Sequence, residues 1–362
     1  MTLRKISILS SIPALAVGVA MSFPISHAQE KPAESQKAAK KKGGNPDLRI
    51  VPAAKAFLAT LDDEQKAKAI VDYKSAERVA WHFIPMETRK GVPMMEMTDV
   101  QKSAARKLLR ATLSKLGYEK ATKIMQLESI LRKLEGPGSE ARRNPEKYYF
   151  TIFGEPKPKS KWGLSIEGHH LSLNFAFEGW KVLDSTPQFF AANPAQLKED
   201  FGEGFEKGLR VLKAEEQLGF QIVKSLTDEQ AEKAMLPGDT PKEIRGAGEA
   251  QPTTERLGGL AAGEMTDKQK EQLRKLLKVY TAKMKMGVAK ARWEAIEKAG
   301  FDKITFGWSG AKRPGVGHYY VIEGDSFVVE FINVQPDAAG NPANHIHCVW
   351  RDMTGDFDLP VK

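Results

Sequence analysis

Apolar residues recur at helical spacing in Leu108, Leu109, Leu113 and Leu116, and again in Leu273, Leu276, Leu277 and Tyr280, with Lys and Arg between them. A stripe of that kind on a charged helix is the face that packs against a core. Four helix starts are written beside these segments. Asp62 with Gln65, Thr98 with Gln101, Thr227 with Gln230 and Thr266 with Gln269 have capping-box spacing, which satisfies amides left free in a first helical turn. Further along, the period changes to two. Trp162 to Ile166, His170 to Phe177, His318 to Ile322 and Ser326 to Val334 alternate in hydropathy, with Glu-Gly at the turn inside each pair, so two β-hairpins are predicted. Helices followed by strands, twice over, give an α+β fold.

The two successions read as duplicated halves, each with helices before an antiparallel hairpin. Leu61-Asp62-Asp63-Glu64-Gln65 returns as Leu226-Thr227-Asp228-Glu229-Gln230, and Glu96-Met97-Thr98-Asp99 as Glu264-Met265-Thr266-Asp267. Residues 47–203 and 204–362 are the predicted halves, packed as one unit. Leu236 to Gly263 is rich in Gly, Pro, Thr and Glu without an apolar period, and reads as a surface loop. It takes the place of the stretch in the first half that holds Trp81-His82-Phe83-Ile84-Pro85. There His82 reads as a packing residue at a helix end, stopped by Pro85.

Composition changes the picture at the N-terminus. Arg4 and Lys5, an apolar run from Ile6 to about Phe23 and the small-x-small site Ser26-His27-Ala28 predict a signal peptide over 1–28, and hence a secreted or periplasmic protein. Residues 29–46 then read as a disordered basic tether. Of the formal charge of +9, the leader carries two and the tether a net three, leaving +4 on the folded part. The basic balance is thus mostly a property of the tail. No aromatic-interleaved basic stripe marks a nucleic-acid partner, and no later segment approaches the length of a membrane span. The single cysteine, Cys348, cannot form an intramolecular disulfide.

Candidate chemistry gathers on the histidines, five of seven lying in three strand-like segments. His345 and His347 alternate with Ile346 and Cys348, so both imidazoles leave one face of a strand while the thiol points the other way. A metal reading takes His345 and His347 as a pair and His170 as third ligand. His318 or Glu330 then serves as fourth ligand or base, and Zn or Cu suits such imidazole-rich sets. A second reading makes these histidines hydrogen-bonded strand and turn residues. A third makes a metal-free pocket for a small organic or carbohydrate ligand, in which Trp162, Tyr319, Tyr320 and Trp350 stack against a sugar or peptide while His169, Asn174 and Asn344 supply polar contacts. Arg351 and Asp352 are either an ion pair ending the strand or an anion grip with a general base. No Gly-x-Ser-x-Gly elbow, phosphate loop, His-Glu-x-x-His helix or paired-cysteine knuckle is present.

Four ordered motifs occur together: Trp81-His82-Phe83-Ile84-Pro85; Glu167-Gly168-His169-His170-Leu171-Ser172-Leu173-Asn174; Thr186-Pro187-Gln188-Phe189-Phe190 through Asn193-Pro194; and Asn344-His345-Ile346-His347 through Arg351-Asp352. With them the chain resembles the exported family catalogued as domain of unknown function thirty-five hundred, over nearly all of the sequence after the tether. The resemblance implies export and brings no activity. The chain departs from that pattern in a longer stretch, Gln335 to Ala343, at the rim of the predicted site. Two functions stand against each other at this point: a metal-dependent hydrolase or oxidase acting on a small organic substrate, and a non-catalytic extracytoplasmic module for a carbohydrate or peptide.

Overall fold

The computed structural model describes residues 49–361; the predicted signal peptide and tether lie outside the described residues. Helices α1 (Ile50–Thr60) and α2 (Asp63–Ala69) lead through short strands β1 (Ile70–Val71) and β2 (Val92–Pro93) to α3 (Asp99–Thr112) and α4 (Lys115–Glu135). Strands β3 (Tyr149–Phe153), β4 (Lys161–Gly168), β5 (Leu171–Glu178), β6 (Lys181–Asp184) and β7 (Gln188–Ala192) follow. After them come α5 (Lys213–Ser225), α6 (Asp228–Ala234), β8 (Leu260–Ala261), α7 (Asp267–Thr281) and α8 (Met286–Ala299). The chain ends in β9 (Thr305–Gly310), β10 (His318–Gly324), β11 (Phe327–Gln335) and β12 (His345–Asp352). The fold is α+β, with eight helices and a twelve-stranded mixed sheet among the described residues.

All four predicted capping boxes form. Their glutamines do a second job. Gln65 and Gln101 donate to each other's side-chain oxygens, as do Gln230 and Gln269, so each pair also ties two helix starts together. The predicted stripe through Leu116 breaks earlier than its period suggests. Leu113 is extended, the Ser114 hydroxyl caps α4 by accepting from Gly117, and Leu116 stands 40% exposed on the new helix.

Strand order is β1-β3-β4-β5-β7-β12-β11-β10-β9-β8, with β2 beside β3 and β6 beside β5. β1 runs parallel to β3, and the other pairings between these strands are antiparallel. β12 therefore lies in mid-sheet, between β7 and β11. Its register places Cys348 beside Phe190 and Phe331, on the face that carries the large helix-packed core. His347 lies beside Ala191 and Ile332, on the opposite face.

That opposite face is covered by loops. Trp81 and Phe83 from one and Ile244 from the other are buried against Phe189, Tyr319 and Val349, each large side chain contributing about 1.5–3 kcal/mol by leaving water. The two loops also meet, the Trp81 indole N–H donating to the Glu249 carbonyl. The prediction of a surface loop over 236–263 is thus corrected: its middle forms part of a second hydrophobic layer. His82 does not end an α-helix either. It follows a single 3-10 turn, Ala76–Arg78, and its Nδ1 accepts from the Phe83 amide. No helix among the described residues is long and apolar enough to cross a membrane.

Candidate metal centre

Period-two geometry sends the His345 and His347 rings from β12 to the loop-covered face. The start of that strand is held by Asn344, whose amide donates to the Gln196 carbonyl and to Asp337 while its oxygen accepts from the Gln196 amide. His170 comes from the β4–β5 turn instead of the strand predicted for it, with φ +65°. Three contacts fix this turn. The Tyr148 hydroxyl donates to the His169 carbonyl, the His170 amide donates to the Phe83 carbonyl, and the Ala191 amide donates to the His170 carbonyl. A Cβ at Gly168 would stand 2.3 Å from the Tyr148 ring, so only glycine lets the turn sit there.

The three rings converge through Nε2. His345 Nε2 lies 2.8 Å from His170 Nε2 and 3.0 Å from His347 Nε2. Both Glu243 oxygens lie 2.8 Å from His347 Nδ1. A carboxylate can only accept, so Nδ1 carries the proton and Nε2 turns a lone pair inward. The Asn193 side-chain amide nitrogen lies 3.4 Å from His345 Nδ1. Contacts of this length between ring nitrogens hold either a shared ion or the N–H of one neutral ring. Burial first, then His347 and Arg143, hold the His345 imidazole down to about 2, so that ring is neutral. Burial and the neighbouring His169 and His345 likewise hold His170 well below the usual histidine range. Imidazole nitrogens about 2.0–2.1 Å from one ion stand about 2.9–3.4 Å apart, close to the spacing seen. Phe83 and Phe189 wall the group, each presenting an edge-on contact to His347.

A second acidic and imidazole group, Glu128, His169 and His170, lies beside the first. It already holds a cation. Arg143 Nη1 is 2.9 Å from His169 Nδ1, and the same guanidinium pairs with Glu135. A divalent ion about 4 Å from that charge would be opposed by about 8 kcal/mol at an effective dielectric of about 20. Glu128 lies 2.5 Å from the same His169 nitrogen, and burial pushes its carboxyl up to about 8.

The structure draws together His170, His345 and His347, with His169 stacked on His170 at 3.6 Å. His318 does not join them. It lies on the helix face, stacked between Trp308 and Phe331, with Nδ1 on the Val316 carbonyl and Nε2 3.3 Å from Glu216; its predicted role as a metal ligand is withdrawn. Tyr320 is on that same face, bonded to Tyr280 and to the Glu215 carbonyl, so it lines no pocket with Tyr319. Tyr319 and Glu330 share the site's face but bond to each other, and Arg245 takes both Glu330 oxygens. Asn174 is buried and donates to Ser172 and the Pro187 carbonyl. Arg351 sits four residues from His347, about 13 Å along a strand. It donates to Asp356 and to the Gly246 and Glu249 carbonyls, which makes it a clamp on the covering loop. Asp352 turns to the helix face, where it lines a separate cleft.

Glu243, Glu128, Arg143 and Phe83 were not singled out by sequence reasoning. Trp81-His82-Phe83 was visible as a motif, but Glu243 lies in a loop with no period to mark it. The chain belongs to the family described as Protein of unknown function (DUF3500), whose model matches residues 44–359. No curated protein and no solved structure matches it.

Proposed function

We propose that His170, His345 and His347 bind one transition-metal ion and that the protein is a metal-dependent hydrolase or oxidase acting on a small organic substrate. The observation that carries this reading is the inward-facing Nε2 set, with the His347 tautomer held by Glu243, the arrangement by which carboxylates orient histidine ligands in metal sites. An all-imidazole set suits zinc or copper. Such an ion, with positions left open by three protein ligands, activates water or oxygen. Glu243 orients one ligand, the Phe83 and Phe189 rings keep water from the rear of the site, and Arg143 lends positive charge to its flank.

The test is elemental analysis of purified protein beside a His345→Ala/His347→Ala double variant. About one ion per chain in the wild type and none in the folded variant is the result expected; metal-free wild-type protein that takes up neither zinc nor copper would contradict it.

The same reading keeps the chain exported, with mature protein beginning at Gln29. It also treats residues 47–203 and 204–362 as copies. The mirrored strand order supports this, pairing β3 with β9, β4 with β10, β5 with β11 and β7 with β12 about the sheet centre. Leu113 and Met284, each the residue before the N-cap of α4 or α8, bridge one another, as residues on a twofold axis do. The turn holding His169 and His170 corresponds to Asp325-Ser326 in the other half, which accounts for a single centre.

A further inference from the structure

We propose that a recess beside the metal centre, together with the groove it opens into, binds a small monocarboxylate with an apolar body. The recess lies between residues 85–89, in the loop before β2, and residues 142–149, which lead into β3. Its volume is about 10 Å³, the room of a single water-sized atom. The groove measures about 650 Å³ and shares Arg89, Lys147 and Tyr149 with the recess, so the two are continuous. A volume of that order takes a small organic ligand.

Cations dominate the recess. Arg89, Arg142 and Lys147 line it, and Arg143 stands against two more of its lining residues, His169 and Glu128. The acids nearby are fewer. Arg142 and Arg143 share Glu135, and the Glu167 charge that reaches Arg89 is already bonded to Lys90 at 2.8 Å. Arg89 donates to the His82 and Ile84 carbonyls and Lys147 to the Ala141 carbonyl; neither has a carboxylate within 4 Å among the described residues. Glu128 closes the floor with His169, and its Oε2 is buried without a hydrogen-bond partner among the described residues. Burial pushes that carboxyl up to about 8, so at neutral pH it adds little negative charge. With Lys90 and Glu167 cancelling, Arg89, Arg142, Arg143 and Lys147 outnumber Glu128 and Glu135 two to one even if both are ionised. Partly buried cations without a counter-ion call for one, and a carboxylate meeting a guanidinium makes a strong, charge-assisted bond.

The groove supplies the apolar part. Ile70 and Met95 line it at 43% and 48% exposed, and Met86, at 41%, lines the recess. Large apolar side chains left facing water around one opening are what an apolar ligand covers. The groove's own acids set a limit: Lys68 pairs with Glu96, but the exposed Glu77 and Glu87 oppose a ligand with negative charge along its length. A single carboxylate, one oxygen in the recess, satisfies both conditions, whereas phosphate or a dicarboxylate does not. His169, in the floor, stacks on His170 at 3.6 Å, so the bound acid stands one imidazole ring from the proposed ion. Such acids are then the substrate class of that centre, the one part of the inference that rests on the metal reading.

Calorimetric titration of the full mature chain with hexanoate and benzoate, beside acetate, hexan-1-ol, benzyl alcohol and phosphate, is the test. At least one of the two acids binding at a single site, with acetate, both alcohols and phosphate about tenfold weaker or worse, supports the assignment. Lys147→Gln removes a charge that holds only a backbone carbonyl and weakens the acid about tenfold. Met95→Ser removes apolar surface from the groove and weakens it about threefold, leaving acetate as it was. Neither acid binding at millimolar concentration overturns the proposal. So does acetate, an alcohol or phosphate binding as tightly, or wild-type affinity in either variant. The wild-type titration decides alone if a variant fails to fold. Elemental analysis tests the metal separately, so acid binding by protein that takes up no metal overturns the substrate assignment and leaves the binding site standing.

Discussion

Glu243 touches the centre without contributing an inward lone pair, so its loss separates orienting a ligand from supplying one. Glu243→Gln lowers metal affinity about 10- to 100-fold in competition with a chelator, while the fold is retained. Arg351 and Asp356 form a buried pair at 2% and 0% exposure, and Arg351 also holds two loop carbonyls. Arg351→Ala therefore costs about 3–5 kcal/mol in urea unfolding, far more than a surface pair would. Asp184 acts in the opposite sense. Burial, Asp356 and Asp352 raise it to about 7, against the opposing charge of Arg292, while the unfolded group ionises near about 3.9. The stability it contributes is complete below about pH 4 and is lost as pH rises toward about 7. Asp184→Asn flattens that slope in melting curves taken from pH 4 to pH 8. At this scale alternation alone made His345, His347 and Cys348 legible, since face follows parity in a strand. Nothing local could reveal Glu243, which meets His347 across 104 residues of chain.

Among the elements, the capping boxes were the most legible because each is a local hydrogen-bond pattern with its own residue code. Thr98→Ala and Thr266→Ala each cost about 1 kcal/mol in chemical denaturation, and the double variant about the sum, since the two helix starts share no partner. The helix break at Leu113 was hidden, for Leu113 and Leu116 continue the apolar period and only the Ser114 cap interrupts it. The covering loop was misread for a related reason. Its inward residues, Ile244 and Arg245, rest on partners distant in the chain, Arg245 on Glu330 and Glu323, and one buried residue among many polar ones leaves no period.

On the scale of the whole molecule, the centre joins a hairpin turn to a strand 175 residues away in the chain. An ion bound there stabilises the folded state by about 2.7 kcal/mol when free metal is about 100 times its dissociation constant. A chelator thus lowers the melting temperature of wild-type protein and leaves that of the His345→Ala/His347→Ala variant unmoved. The α+β class and the order of helices and hairpins could be read from periodicity and internal repeats. The meeting of β7 with β12 could not, because strand pairing across so long a separation is decided by packing of the finished sheet.

The account rests on the three Nε2 atoms sharing one ion. Anomalous diffraction from crystals grown with zinc, recorded on both sides of its absorption edge, tests that most directly. It predicts a single strong peak about 2.0–2.1 Å from His170, His345 and His347. A peak at Glu128 and His169 alone, or none between the three rings, contradicts it.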